Sequence, residues 1–214
     1  MVVLGHSQGG LLTKLTAIDS EDKFWKGVTD QSFDDVKLDA DDKELLRNVV
    51  FVKPLPFVTE VMFLATPQRG SYLAGPQFVR RLAGRLVRLP SDVVRVGTTV
   101  ATLAPSTSEG GLFRMPTSID NMSPGNRFIK ALAAIPVSPA VRAHSIISVN
   151  SDAPLESAGD GVVKYESAHI EPVESELIVR SPHSGMQAAP ETIEEVRRIL
   201  LEHAARSACP VPPR

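Results

Sequence analysis

Short apolar runs alternate along this chain with stretches that have helical character. Runs with the length of strands occupy residues 2–4, 60–65, 145–149 and 177–179. The run at 60–65 is almost wholly apolar and stops at a Thr-Pro pair, which is typical of a strand buried on both faces of a parallel sheet. Helices are predicted at residues 11–16, 41–46, 77–103, 128–135 and 191–204. The alternation predicts an α/β fold, with a mostly parallel sheet flanked by helices.

The long stretch between the second and third apolar runs has two parts. Two helices are predicted over residues 77–103, because the helical spacing breaks at Pro90. Four arginines lie on or near the polar side of the first helix: Arg80, Arg81, Arg85 and Arg88. A solvated face is the favoured interpretation of these arginines, and a basic membrane-facing helix is the alternative. Residues 104–126 are rich in Pro, Ser, Thr and Gly, which predicts a loop.

Composition narrows the classes of function. The 214 residues are 43% hydrophobic and 22% charged, and the net charge of −2 with no long basic run argues against nucleic acid as a partner. The single Cys209 excludes an internal disulfide, and no apolar stretch approaches the roughly 20 residues of a membrane span. The acidic stretch 34–42 lacks the spacing and central glycine of an EF-hand, so a charged surface is favoured over a metal site. We expect no metal and no organic cofactor.

The pattern Gly-His-Ser-Gln-Gly at residues 5–9 stands between the first apolar run and the first helix. A G-x-S-x-G sequence in this context is typical of a nucleophile elbow, in which a strained turn exposes the serine hydroxyl. Side chains at Gly5 and Gly9 are expected to collide with the neighbouring strand and helix. Ser7 is therefore a candidate nucleophile. The Gln8 amide, at the helix N-terminus, is expected to point at a developing oxyanion.

A serine nucleophile needs a base, and the base needs an acid that orients it. Asp160 follows the third apolar run, within Gly-Asp-Gly, and His183 follows the fourth. Because the carboxyl ends of parallel strands meet at one edge of a sheet, both side chains are expected near Ser7. The order Ser, Asp, His along the chain is the order expected of an α/β-hydrolase.

Other residues compete for the two supporting roles. Asp152 and Glu156 are alternative acids, but Asp160 has small neighbours and an apolar pair after it. His169 is the alternative base. The other three histidines are expected inside the elbow and pointing away from the serine (His6), before a strand (His144) and on the terminal helix (His203).

Four blocks of the sequence together resemble the α/β-hydrolase superfamily, specifically its lipase and esterase members. Residues 5–10 resemble the elbow, and residues 65–71, Ala-Thr-Pro-Gln-Arg-Gly-Ser, resemble a segment that lipases often write as T-P-H-x-G-S. Residues 160–163, with Ser-Ala at 167–168 after them, resemble the acid loop. Residues 181–184 resemble the histidine loop. The blocks span nearly the whole chain.

The resemblance implies a serine hydrolase that cleaves carboxylic esters of small molecules or lipids through an acyl-enzyme intermediate. Ser7 would be the nucleophile, His183 the general base and later acid, and Asp160 the orienting carboxylate. The backbone amide of Gln8 would be one oxyanion donor. An acyltransferase or thioesterase on the same triad is one alternative, and a non-catalytic binding protein or inactive fragment with a hydrolase-like fold is the other.

The resemblance also implies which residues contact the substrate and how the chain is organised. His6, Pro67 and Gln68 are candidate substrate contacts, and Gln68 stands where many relatives have histidine. Such enzymes insert a cap after their sixth strand. We therefore expect one partial hydrolase domain with these parts: a core at 1–74 and 127–206, a helical cap or lid at 75–126, and a Pro-rich tail at 207–214.

The chain departs from the family pattern in the position of the elbow. The family fold has eight strands with the elbow after the fifth, whereas here the elbow follows the first apolar run. The resemblance therefore implies that only about the last four strands are present. It further implies that the second oxyanion amide, from the loop after the third strand, lies upstream. We expect Met1 to be an internal methionine of a longer hydrolase.

Overall fold

The computed structural model describes residues 1–71 and 124–207. Four strands form one sheet in the order β1-β2-β3-β4, and every neighbouring pair is parallel. The strands are β1 (Val2–His6), β2 (Glu60–Leu64), β3 (Arg142–Val149) and β4 (Ser175–Arg180). With helices around it, this sheet confirms the predicted α/β fold class.

The helices connect these strands or follow them. They are α1 (Gln8–Leu15), α2 (Lys23–Lys26), α3 (Ala40–Val50), α4 (Arg127–Ala134), α5 (Tyr165–Ala168) and α6 (Pro190–Ser207). Short 3₁₀ turns occupy Phe33–Asp35, Leu155–Ser157 and Met186–Ala188. The α3 helix starts slightly before the predicted Asp41 or Asp42, because Asp39 caps it by accepting a hydrogen bond from the Asp42 amide at 2.8 Å.

Apolar side chains pack on both faces of the sheet. On one face, Val61 and Phe63 of β2 pack with Ala17, and the helices α1 to α4 bury a further cluster around Trp25 and Leu132. On the other face, alternate strand residues pack against α6. These are Met62, Leu64, Ile146 and Val179, with Ile199 of the helix. Because β2 is covered on both faces, all five of its residues are buried, as its apolar pattern predicts.

The amino ends of the strands carry a buried polar cluster. Glu60, 1% exposed, opens β2, and its carboxylate accepts hydrogen bonds from His144 Nε2 at 3.0 Å and from His203 Nδ1. Arg206 donates to the same carboxylate. His144 was expected before a strand, but it lies inside β3, and its Nδ1 contacts Ser175 Oγ at 2.8 Å. Since α6 supplies His203 and Arg206, the cluster attaches the terminal helix to the sheet.

Some predictions fall outside the described residues. They are the two helices of 77–103, residues 75–123 of the predicted cap and residues 208–214 of the tail. Among the helices that the structure does describe, none combines the length and apolar character needed to cross a membrane.

Candidate active site

The serine turn begins where β1 ends. The Ser7 amide donates to the Leu64 carbonyl at 2.8 Å, so the ladder with β2 runs one residue past the strand. The backbone of Ser7 then turns sharply, with φ 55° and ψ −127°, and α1 starts at Gln8. A positive φ is a strained conformation for a serine, and such strain concentrates at functional sites. The turn predicted from the G-x-S-x-G pattern is present.

One of the two close approaches predicted for the glycines of this turn is present, and the other is not. A Cβ at Gly5 would come within 2.4 Å of the Gly9 carbonyl oxygen and of Thr13 Oγ1, so the expected collision exists there. At Gly9 the expectation is wrong, since a Cβ would meet nothing within 4 Å. The close approach is one residue later, where a Cβ at Gly10 would lie 1.8 Å from Thr66 Oγ1. Gly10 therefore lets α1 pack against the turn after β2.

Ser7, His183 and Asp160 form one hydrogen-bonded chain. His183 Nε2 lies 2.9 Å from Ser7 Oγ, and His183 Nδ1 lies 2.7 Å from Asp160 Oδ2. Asp160 and His183 are buried, whereas Ser7 is half-buried. Because a carboxylate only accepts hydrogen bonds, Nδ1 of His183 donates to Asp160. In the neutral ring, Nε2 is then free to accept the Ser7 proton.

Backbone groups fix the position of the Asp160 carboxylate. Its Oδ1 accepts from the Val162 amide at 2.9 Å and the Val163 amide at 2.7 Å, leaving Oδ2 for the histidine. The His183 amide also donates to the Asp160 carbonyl at 3.1 Å. The loops after β3 and β4 are thereby joined by main chain as well as by side chain, which restricts the imidazole to one orientation.

The alternative acids and base lie elsewhere. His169 Nδ1 lies 2.7 Å from Glu176 Oε2, and the His169 ring stacks on Tyr165, so it does not orient toward the serine. Asp152 lies 3.3 Å from the exposed guanidinium of Arg180. Glu156 is exposed in a 3₁₀ turn. Of the acids and bases weighed from the sequence, only Asp160 and His183 join Ser7.

His6, a candidate substrate contact, lies against the histidine loop. Its Nε2 donates to the His183 carbonyl at 3.1 Å, and the two rings are 5.0 Å apart between centroids. Burial lowers the pKa of His6 below its ordinary value, against the opposing effect of that hydrogen bond. The hydrogen bond and ring contact of His6 therefore support the position of His183.

The turn after β2 connects the serine side of the site to the acid side. Ala65 continues the ladder with a bond to the Ile146 carbonyl at 2.9 Å, and its φ of 44° repeats the positive φ of Ser7 one strand away. Ser71 Oγ donates to the Val162 carbonyl at 2.5 Å. Ser167 Oγ donates to the Gly70 carbonyl at 2.6 Å. The apolar run at 60–65 placed Ala65 in the predicted strand, and an alanine carries no sequence signal for a positive φ.

The two candidate contacts in this turn, Pro67 and Gln68, are buried. Gln68 is fully buried, and neither its Oε1 nor its Nε2 has a hydrogen-bond partner within the part of the chain that the structure describes. Buried amides are almost always hydrogen-bonded, so this side chain is an exception. The sequence shows that residue 68 is polar, but it does not show that this side chain is buried.

Replacing Gln68 with leucine is expected to raise the free energy of unfolding by about 1–3 kcal/mol, because the variant removes the desolvation cost of an unpaired amide. Urea unfolding of the two proteins measures the difference. Gln187→Leu is the matched control, since that glutamine is exposed and its change is expected to stay within about 0.5 kcal/mol. A loss of stability in Gln68→Leu would show that the amide is paired in solution.

The site brings together a hydroxyl, an imidazole and a carboxylate. Within residues 1–71 and 124–207, no three His, Cys, Asp or Glu side chains are grouped so as to hold a metal ion. The acidic stretch at 34–42 contributes the cap of α3 through Asp39.

We found no protein-family model that matches the chain, and no match among curated proteins.

Proposed function

We propose that this protein is a serine hydrolase of the α/β-hydrolase type that cleaves carboxylic esters through an acyl-enzyme intermediate. The observation that carries the proposal is the chain of hydrogen bonds from Asp160 through His183 to Ser7, at 2.7 and 2.9 Å. The three side chains follow the carboxyl ends of β3, β4 and β1, where ligands bind in parallel sheets. The strained φ of Ser7 supports the same interpretation.

In the first half of the reaction, Ser7 Oγ attacks the carbonyl carbon of the ester while His183 Nε2 takes the hydroxyl proton. Asp160 holds the ring with Nδ1 protonated and stabilises the imidazolium that forms. The carbonyl oxygen becomes an oxyanion. As the first residue of α1, Gln8 has no intrahelical acceptor for its N–H, so this amide is available to donate to the oxyanion.

The imidazolium of His183 then gives its proton to the leaving alcohol oxygen, and the C–O bond breaks to leave an acyl ester on Ser7. In the second half, His183 takes a proton from water, and the hydroxide oxygen attacks the acyl carbon. The carboxylic acid leaves and Ser7 Oγ regains its proton. Every proton is carried by the one imidazole, so no metal or organic cofactor is needed in this scheme.

The direct test is covalent labelling of Ser7. A fluorophosphonate probe is expected to label the folded protein once, at Ser7, and to inhibit hydrolysis of p-nitrophenyl acetate in step with labelling. Ser7→Ala is expected to abolish both signals. Ser184→Ala is the matched control, because that serine is exposed next to His183 and should leave labelling unchanged.

The same experiment separates the alternatives. Ester hydrolysis that persists in Ser7→Ala would contradict the proposed nucleophile. A well-folded protein that neither labels nor hydrolyses the ester would favour a non-catalytic binding protein. Burst kinetics with transfer of the acyl group to an added alcohol or thiol, at the expense of hydrolysis, would favour an acyltransferase.

A further inference from the structure

A buried lysine lies on the helix that follows Ser7. Lys14 of α1 is 2% exposed, and its Nζ donates to the Leu132 carbonyl at 2.8 Å. An ammonium group has three N–H donors, so two of them have no acceptor in the described part of the chain. No carboxylate of the described residues forms an ion pair with it. Burial lowers the pKa of Lys14 to about 8, and the charge of Arg69 adds to the effect.

Lys14 lines a cavity that no member of the Ser-His-Asp chain touches. The cavity has a volume of about 50 Å³. One water molecule needs roughly 10–15 Å³ on the same measure, so there is room for a small molecule of a few heavy atoms. Six of the nine lining residues are apolar, among them Ile135, Val137 and Ile170, although polar atoms contribute the larger share of the wall's surface. The cavity thus combines one buried cation with a wall of mixed polar and aliphatic character.

Two other charged groups line the same cavity. One nitrogen of Arg69, Nη1, donates to the carbonyls of Glu166 and His169, and no carboxylate among the described residues pairs with this guanidinium. Glu171 is the acidic lining residue, but its side chain is 81% exposed, and it lies 3.8 Å from His169 Nε2. Arg69 and Glu171 are both exposed, so the one buried charge of the cavity is the ammonium of Lys14.

We propose that this cavity is a binding site for a small aliphatic carboxylate of the size of acetate or propionate. The carboxylate oxygens would accept from the free N–H groups of Lys14, with Arg69 adding favourable charge. The methyl or ethyl group would lie against Ile135, Val137 and Ile170. Phosphate and sulfate fit less well, because the aliphatic side chains of the wall offer no donors to their third and fourth oxygens.

The test is a titration of the protein with sodium acetate and sodium propionate at constant ionic strength, with chloride as the balancing anion. The readout is the ¹³Cε NMR signal of Lys14. A bound carboxylate favours the charged form of its partner, so the pKa of Lys14 is expected to rise from about 8 toward its ordinary 10.5, and the shift should saturate. Isothermal titration calorimetry gives the affinity.

Two variants make the test specific. Lys14→Met removes the cation while keeping an unbranched side chain, and it is expected to weaken acetate binding at least tenfold. Ala133→Leu fills the cavity from α4 without touching the cation, and it should have the same effect even if Lys14→Met fails to fold. Lys130→Met, which removes an exposed lysine of the same helix, is the matched control and should bind as the parent does.

Three results would overturn the proposal. The first is a Lys14 signal that acetate shifts no more than chloride does. The second is acetate binding of undiminished affinity in Ala133→Leu. The third is phosphate binding at least as tight as acetate binding, which would indicate a general anion site. Because no residue of the Ser7 site lines the cavity, each of these outcomes is independent of ester hydrolysis.

Discussion

Replacing Asp160 with asparagine is expected to lower kcat for ester hydrolysis about 10⁴-fold while leaving the fold intact. The reason lies in how the side chain is held. Two backbone amides, those of Val162 and Val163, donate to Oδ1 at 2.9 and 2.7 Å, so an asparagine is held with its oxygen there. Its NH₂ group then faces His183 Nδ1 and donates to it. The ring proton is forced onto Nε2, which can no longer accept the proton of Ser7.

The measurement is steady-state hydrolysis of p-nitrophenyl acetate together with the rate of fluorophosphonate labelling. Both are expected to fall in parallel, because both need the Ser7 oxygen to lose its proton. Asp152→Asn is the matched control, since that carboxylate is exposed beside Arg180, and its rates should stay within about twofold of the parent's. An Asp160→Asn variant that keeps more than a tenth of the activity would mean that another acid orients the histidine.

The parts of the site that the sequence predicted are those fixed by strand ends. Ser7, Asp160 and His183 each follow an apolar run, and parallel strands gather such positions at one edge whatever the details of the loops. That geometric rule brings together residues separated by as many as 176 positions. The same rule does little to distinguish Asp160 from the alternative acids Asp152 and Glu156, which also follow β3. The two amides that hold its carboxylate are backbone groups, and the sequence does not display them.

The starts of β3 and β4 were harder to predict than their ends. The apolar runs at 145–149 and 177–179 miss the first residues of β3 and β4, which begin at Arg142 and Ser175. Both residues are polar, and a prediction that relies on apolar runs assigns polar residues to exposed positions outside the strands. His144 and Ser175 are nevertheless buried or half-buried, because each hydrogen-bonds within the cluster around Glu60. A pattern of single residues does not show such pairing, which depends on neighbouring strands.

Lys14 and Gln68 show the same limit at the scale of one side chain. Lysine in an amphipathic helix predicts a solvated position, and glutamine in a turn predicts the same. The structure buries both, with one hydrogen bond for the lysine Nζ and none for the glutamine amide among the described residues. Burial of a polar group comes from packing between distant segments, such as α1 against α4. The proposed carboxylate site could therefore be found only from the three-dimensional arrangement.

Replacing Glu60 with glutamine is expected to lower the free energy of unfolding by about 3 kcal/mol at pH 7, because the variant removes a buried charge that several donors share. Burial alone raises the pKa of Glu60, but the hydrogen bonds from His144, His203 and Arg206 outweigh it and hold the pKa below 4.5. A carboxyl group with a lowered folded-state pKa stabilises the fold above its unfolded pKa. That contribution is lost as the pH falls through the lower, folded value.

The difference between the parent and Glu60→Gln should therefore be largest at neutral pH and shrink in acid below about pH 4.5, the ordinary value. Urea unfolding at several pH values measures it, and hydrogen exchange should quicken first at the carboxyl end of α6, which His203 and Arg206 attach to the sheet. Glu202→Gln is the matched control, since its carboxylate is 46% exposed and its pairs with Arg198 and Arg206 contribute about 1 kcal/mol at most. Equal losses in the two variants, or a loss in Glu60→Gln that persists unchanged in acid, would show that packing and not charge holds the terminal helix. The site edge of the sheet is expected to tolerate this change, because the Glu60 cluster lies at the opposite ends of the strands from Ser7.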